Sequence, residues 1–319
     1  MSPNTGSTIR GDINTVVEEA AQADKFFIGA QVLPPLPQDL KSGTYPKLTK
    51  TEGALLKPGS TVRAPKGSYG EIDRTWTTDT YDTVDRGLAE VMDVTEIKDT
   101  ARFFDMESIT AKLVLRAVML DHEIRVAALI NNASTFAATA AAVAYTQALI
   151  ATINFPLDVI DAIERVADNG EEANTIIMSI NVFNRVRQST LLQNFIRGNR
   201  PSDSTLNVTP SAVQQAFAEN GITQVLVGRA RYDSAKKGQA FASAKVWGDT
   251  YFWVGRVASG DFFNGGAGRT IVWNAEGGLW VTETMPLPER RSIKVVVRQN
   301  TTEKIVNAAA GTQVTTSFS

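Results

Sequence analysis

The chain has no cysteine and one histidine among its 319 residues. Without cysteine there is no disulfide framework and no thiolate chemistry, a composition that fits a reducing compartment. Neither sign of charge dominates. The net charge is −2, so no overall basic field recruits nucleic acid. Long apolar runs are absent too, none approaching the roughly 18 residues needed to cross a bilayer. The Ala-rich stretch 135–151 carries Thr139, Tyr145, Thr146 and Gln147 and reads as a small-residue loop or packed helix. Residues 1–11 are polar and small and lack the charged-then-apolar layout of a signal peptide.

Catalytic motifs are equally scarce. The single histidine lies in HEIRV (residues 122–126), which begins like a zinc-protease helix but has Val126 where the second histidine must stand. His122 therefore reads as a surface or satisfied residue. There is no G-x-S-x-G nucleophile elbow, no Walker A loop and no G-x-G-x-x-G. The loop Asn264–Gly268 could hug a phosphate through backbone amides, but it does not join a strand to a helix, so it reads as a plain turn. Arg229, Arg231, Lys236 and Lys237 form a small basic cluster, read as a solvated loop. No catalytic, cofactor-binding or metal-ligating residue is assigned, and no cofactor is expected. An enzyme reading would rest on a carboxylate or on a phosphate-binding loop around Gly265–Gly268, and it predicts a discrete monomer or small oligomer with a ligand pocket.

What is present is ordinary globular composition, 43% hydrophobic and 21% charged. The length suits one large or two modest domains. The dominant feature runs from Asp105 to Asn132. Met106, Ile109, Leu113, Ala117, Leu120, Ile124, Ala127 and Ile130 recur at helical spacing, which predicts one long helix with that face buried. Asp105 is its expected N-cap, and Asn131–Asn132 its stop. Ahead of it, Asp12 to Ala23 predicts a short helix. The following segment contains Pro34, Pro35 and Pro37 and must be extended. Such an apolar arm needs a surface on its own chain or on a neighbour's. Residues 44–85 alternate around Tyr45–Leu48 and Ile72–Tyr81, with Pro58, Gly59, Pro65, Gly67 and Gly70 between, which predicts a long β-hairpin. Arg86–Gly87 reads as a turn. From about 155 to 230 helices and strands alternate as a compact α/β unit: a helix opened by Asn154 and Pro156, a strand at 173–179, a helix capped by Asn181, another opened by Thr209–Pro210, and a strand at 222–227. An aromatic strand at 250–257 and a strand-rich tail from Ile271 to Ala309 complete the α+β pattern.

The order of these parts resembles that of the major capsid proteins of tailed bacteriophages, a fold shared with encapsulins and the floor of the herpesvirus capsid. The stretch WTTDTYDTVDRGLAEVMD from Trp76, EIRVAALI from Glu123, VGRARYDSAKKGQ from Val227, KVWGDTYFW from Lys245 and GGAGRTIVW from Gly265 are each similar to family text. The resemblance spans nearly the whole chain. It implies an N-terminal arm (1–43), an extended loop (44–85), a peripheral domain (86–154 and 271–319) holding the spine helix 105–132, and an axial domain (155–270). It implies a structural protein, not an enzyme, that self-assembles into the hexamers and pentamers of an icosahedral shell around double-stranded DNA. That shell would be part of a virion assembled in the bacterial cytoplasm. An encapsulin-like compartment is the alternative. Implied partners are copies of the chain itself, a portal, a decoration protein and DNA held by non-specific contact, with no membrane. The first forty residues are too short for the scaffolding segment of some relatives, so a separate scaffold protein, or one removed, is expected. The expected intersubunit contacts are Leu33, Leu36, Leu55, Leu56, Lys57, Arg63, Lys66, Tyr69 and Trp76.

Overall fold

The computed structural model describes residues 8–9, 11–47, 61–70, 77–102, 105–198 and 207–318. In chain order, the first part comprises strand β1 (Thr8–Ile9), helices α1 (Gly11–Ala23) and α2 (Gly29–Val32), and strands β2 (Pro35–Gln38), β3 (Ser42–Lys47), β4 (Thr77–Asp82) and β5 (Val84–Asp93). Helices α3 (Val94–Thr100) and α4 (Met106–Ile130) follow, then β6 (Ala138–Ala140), α5 (Phe155–Ala167), β7 (Thr175–Ser179), α6 (Ile180–Val186), α7 (Thr190–Arg197) and α8 (Pro210–Ala216). The last part is strands joined by loops and short 3-10 turns: β8 (Gln224–Gly228), β9 (Arg231–Asp233), β10 (Ser243–Lys245), β11 (Tyr251–Gly255), β12 (Gly268–Trp273), β13 (Val281–Leu287), β14 (Ser292–Ile305) and β15 (Gly311–Thr315).

Helix α4 is the long helix the sequence predicts. Its 25 residues give a length of about 37 Å at 1.5 Å per residue. Asp105 caps it as expected, accepting the Glu107 N–H at 3.2 Å. The expected face is buried only at its C-terminal end, at Ala127 and Ile130; ahead of that a different face is packed. Leu113 is 62% exposed and Ile109 42%, while Ala111, Val114, Leu115, Val118, Met119, Val126, Ala127 and Ile130 are buried, and with them His122 and Glu123. Apolar residues are spread around the whole circumference of this helix, so spacing alone does not choose a face. The choice is made by dedicated partners for His122 and Glu123, described below.

Two sheets rest on this helix. In the first, β14 is the central member. It pairs with β13 through residues 292–298, with β12 through 301–305, and on its other side with β5 through 292–301. β1 extends β13, and β2 lies parallel to β12, Leu36 opposite Ile271. Val295 and Val297 of β14 pack with Val114, Leu115 and Val118 of α4, and with Ile13 and Val17 of α1. The expected turn at Arg86–Gly87 lies instead inside β5. A Cβ on Gly87 would stand 2.7 Å from the Arg298 Cβ, so this glycine marks a close strand approach rather than a reversal.

The second sheet has the order β6-β15-β11-β7-β8. β7 and β8 are parallel, and β11 is antiparallel to both β7 and β15. Its core joins Phe155, Val159, Ala162, Ile176, Phe183, Phe217 and Phe252. Strands β6 and β15 belong here by hydrogen bonding, so part of the Ala-rich stretch is a strand and not the loop or packed helix expected; both lie in the ranges that the resemblance gave to the peripheral domain. The chain thus enters this sheet before residue 155 and returns to it after residue 310, because β11 offers β15 a five-residue antiparallel ladder.

These placements separate two leucines only two residues apart: Leu115 is packed and Leu113 is not. Leu115→Ala should cost roughly 2–5 kcal/mol in urea unfolding, and Leu113→Ala no more than about 0.5 kcal/mol. Equal costs would restore the face expected from spacing.

Candidate functional site

The arm docks on the spine through one buried carboxylate. Glu123 accepts the Ile28 N–H at 3.2 Å, the Gly29 N–H at 2.5 Å and the Trp247 indole N–H at 2.5 Å. Three segments distant in sequence meet at these two oxygens: the start of α2, the middle of α4 and the connection from β10 to β11. Burial pushes the Glu123 carboxyl up, and the three donors pull it the other way. Only glycine fits at position 29, where a Cβ would stand 2.7 Å from Glu123 Oε2 and 3.2 Å from His122 Nδ1.

One residue back, His122 is also buried. Its Nε2 lies 3.3 Å from Thr270 Oγ1, and that hydroxyl donates to the Leu33 carbonyl at 2.9 Å. The hydroxyl proton is thus committed, which assigns the proton of the neutral ring to Nε2. Glu303 Oε1 lies 3.7 Å from the same nitrogen, and the Glu303 carboxylate takes both Nε and Nη2 of Arg125 at 3.0 and 3.1 Å. Arg125 also pairs with Asp121 one turn earlier on α4. Burial lowers the His122 pKa to about 4, against the pull of Glu303. For Glu303 burial acts upward, but the Arg125 hydrogen bonds and the His122 and Arg125 charges hold it below its ordinary value. His122 and Glu123 border a cleft of about 450 Å³ beside Phe27, Gln31 and Trp280, with their polar atoms already engaged as described.

The expected intersubunit residues divide into three groups. Leu33 and Leu36 are 0% and 7% exposed and lie in the subunit's own core, because β2 has joined β12. Of the two surfaces open to the arm, its own chain has taken these side chains. Arg63, Lys66 and Tyr69 are exposed on a small self-contained turn. Its Arg63 guanidinium lies 5.0 Å from the Tyr69 ring centre and donates to the Gly67 carbonyl at 3.1 Å. Leu55, Leu56, Lys57 and Trp76 lie outside the described residues. The base of the predicted hairpin is formed by β3 and β4, paired from Ser42–Asp82 to Lys47–Thr77. Tyr45 and Tyr81 root it on Ile271 and Val306.

The glycine loop is filled from within. Arg269, 1% exposed, donates to the carbonyls of Gly265 at 2.7 Å, Gly268 at 2.9 Å and Asp261 at 3.3 Å. The loop thus turns carbonyls toward a cation of its own chain. Among the described residues no group of three or more carboxylates or imidazoles is placed to hold a metal ion. No described helix is long and apolar enough to cross a membrane. Sequence reasoning missed the Glu123 clamp; the available signal was a glutamate at the buried-face spacing of Met119, Val126 and Ile130.

Two outcomes follow from this geometry. Glu123→Gln keeps the shape but sets an amide N–H₂ against N–H donors, and should cost roughly 2–3 kcal/mol in urea unfolding. His122 gives a pH dependence. The unfolded chain binds its proton near 6.5 and the folded chain near 4, so the unfolded state binds more protons between those values. Stability is whole above about pH 6.5 and falls, by on the order of 3 kcal/mol, as the pH drops to about 4. Glu123 acts in the opposite sense, giving stability that fades as pH rises through its raised pKa, but it is common to both proteins in the comparison. His122→Gln should therefore lose less stability than the parent between pH 7 and pH 5; equal losses would remove His122 as the cause.

No protein-family model matches the chain, and no curated protein matches it. Solved structures do. A phage-related protein from Bordetella bronchiseptica RB50 superposes with a TM-score of 0.70 at 17% identity, covering 97% of this chain and 98% of that one. A virus-like particle subunit from Pyrococcus furiosus gives 0.55 at 9% identity, covering 95% and 97%. The capsid structure of the cyanophage P-SCSP1u gives 0.54 at 14% identity, covering 90% and 86%. Near-complete coverage in both directions, at identities that speak for architecture alone, makes the fold of this chain that of tailed-phage major capsid proteins.

Proposed function

We propose that the chain is a major capsid protein, a structural subunit that assembles into the hexamers and pentamers of an icosahedral shell around double-stranded DNA. The observation that carries this reading is a ribbon rooted at home and exposed at its far part. At the root, Tyr45 is 1% exposed, stacks on Phe262 at 5.3 Å and donates to Asp79 at 3.2 Å. Farther along, Val62 is 85% and Tyr69 72% exposed. Apolar and aromatic groups displayed in this way are available for burial on another molecule, and copies of the same chain supply it in a symmetric shell. Arg63, Lys66 and Tyr69, with Leu55, Leu56, Lys57 and Trp76 of the same loop, are the contacts proposed there. A net charge of −2 lets subunits approach without strong repulsion.

In this reading residues 1–43 are the arm, 44–85 the extended loop, 86–154 and 271–319 the peripheral domain and 155–270 the axial domain, with β6 and β15 exchanged into the axial sheet. The subunit works in the virion after assembly in the bacterial cytoplasm. A separate scaffold protein, a portal and a decoration protein are its further partners.

The test is assembly of the purified chain, followed by negative-stain electron microscopy and light scattering. The intact chain should give closed shells or capsomer-sized rings. Deletion of residues 54–68 should leave the thermal melt of the subunit in place and abolish closure. Normal shells from the deletion variant would overturn the role given to the ribbon.

A further inference from the structure

We infer that the hairpin β9–β10 is a finger that binds the phosphate backbone of double-stranded DNA. Between Arg229 and Lys245 the sequence places five cations and one acid. Lys245 is committed to Asp249. Arg229, Arg231, Lys236 and Lys237 are exposed and pair with no carboxylate among the described residues. The one acid, Asp233, is used inside the hairpin: its Oδ1 accepts the Ala235 and Ala242 N–H groups, each at 3.0 Å. Nothing within the finger is positioned to neutralise the four free cations.

The fold tolerates an electrostatic cost to keep them there. Arg231 stands directly opposite Lys245 in the β9–β10 ladder, and like charges at such positions destabilise a hairpin. The finger is also held firmly at its base. Ala230 is 3% exposed in the core with Ile13, Val17 and Met119, and the Val246 N–H donates to its carbonyl at 3.1 Å. Trp247, next along, is fixed by Glu123. A rigid stem thus presents charge on both sides of a short loop, in a chain whose total charge is slightly negative.

That arrangement suits a polymer of evenly repeated charge. A single small anion would need converging donors, and an acidic protein segment would be matched by one or two fixed pairs. Phosphates along a duplex are met by dispersed cations, each releasing counterions. Phe241, 75% exposed on the same loop, is one isolated ring and ordinary surface. The inference takes the presence of DNA from the capsid reading, but binding is measured on the unassembled chain.

The experiment is fluorescence anisotropy of a 30-base-pair duplex with the full-length chain over a series of salt concentrations. The variant R229Q/R231Q/K236Q/K237Q is compared with K41Q/K98Q/R102Q/K112Q, which removes the same charge elsewhere. The hairpin variant should lose at least tenfold in affinity at 100 mM salt, and its log K against log salt slope should fall by about 2–4. The control should keep both. K236Q/K237Q, confined to the loop, gives a second reading should the fourfold variant not fold, with a slope lower by about 1–2. Equal behaviour of hairpin and control variants would overturn the inference. So would displacement of the duplex by poly-glutamate at equal charge concentration, which would assign the finger to an acidic protein segment. Microscopy of the same samples separates the two readings. Shells with an unchanged slope leave the capsid reading standing and remove the finger. A lowered slope from a chain that forms no shells under any condition does the reverse.

Discussion

A carboxylate taken out of water is the constraint around which this fold is arranged. Burying Glu123 is unfavourable by several kcal/mol unless its oxygens are fully occupied. Here they are, by two amides at the start of α2 and one indole from beyond β10. The occupied state requires the arm, the spine and the Trp247 segment to be in place together. A hydrophobic contact would allow the arm to slide by a residue; this arrangement does not, because slippage leaves a buried charge unpaired. Gly29 reinforces the register, since no side chain fits against the carboxylate there.

The second seam, from Arg125 through Glu303 and His122 to Thr270 and the Leu33 carbonyl, ties the first sheet to the same turn of the helix. Together the two seams make the spine a polar as well as an apolar hub. They explain why the packed face of α4 contains its histidine and a glutamate while Leu113 faces outward. The buried charges of α4 fix geometry inside the fold, while the exposed cations Arg229, Arg231, Lys236 and Lys237 stand together on the β9–β10 finger.

Much of the architecture was legible in the sequence, and the reasons differ from element to element. Asp105, Asn154 and Thr209 announce their helices because a cap acts within three residues of itself. The tail strands are readable from β-branched runs such as Val295–Val297. What was hidden depends on distant partners. The face of α4 is selected by residues 28, 29, 247, 270 and 303, none near it in sequence. Leu33 and Leu36 form an apolar proline-bounded segment whose destination, its own sheet, is set by the edge that β12 offers. Helix α7 escapes the sequence reading although Ser189 caps it, because only residues 187–189 separate it from α6. Gly87 has the sequence look of a turn, and only the nearness of Arg298 gives it another purpose.

The pairing of β14 has a consequence for the time order of folding. Its partner β5 is made some two hundred residues earlier, and β1, near the start, joins β13, made near the end. Neither pairing can begin until synthesis is almost finished, and loop closure over such distances is slow. A chain released early lacks the strand that gives β5, β12 and β13 a common neighbour. It has no first sheet on which to seat the spine, and no rooted ribbon to offer. Completeness of the polypeptide is thereby checked by topology, because a chain that stops before β14 cannot close the first sheet.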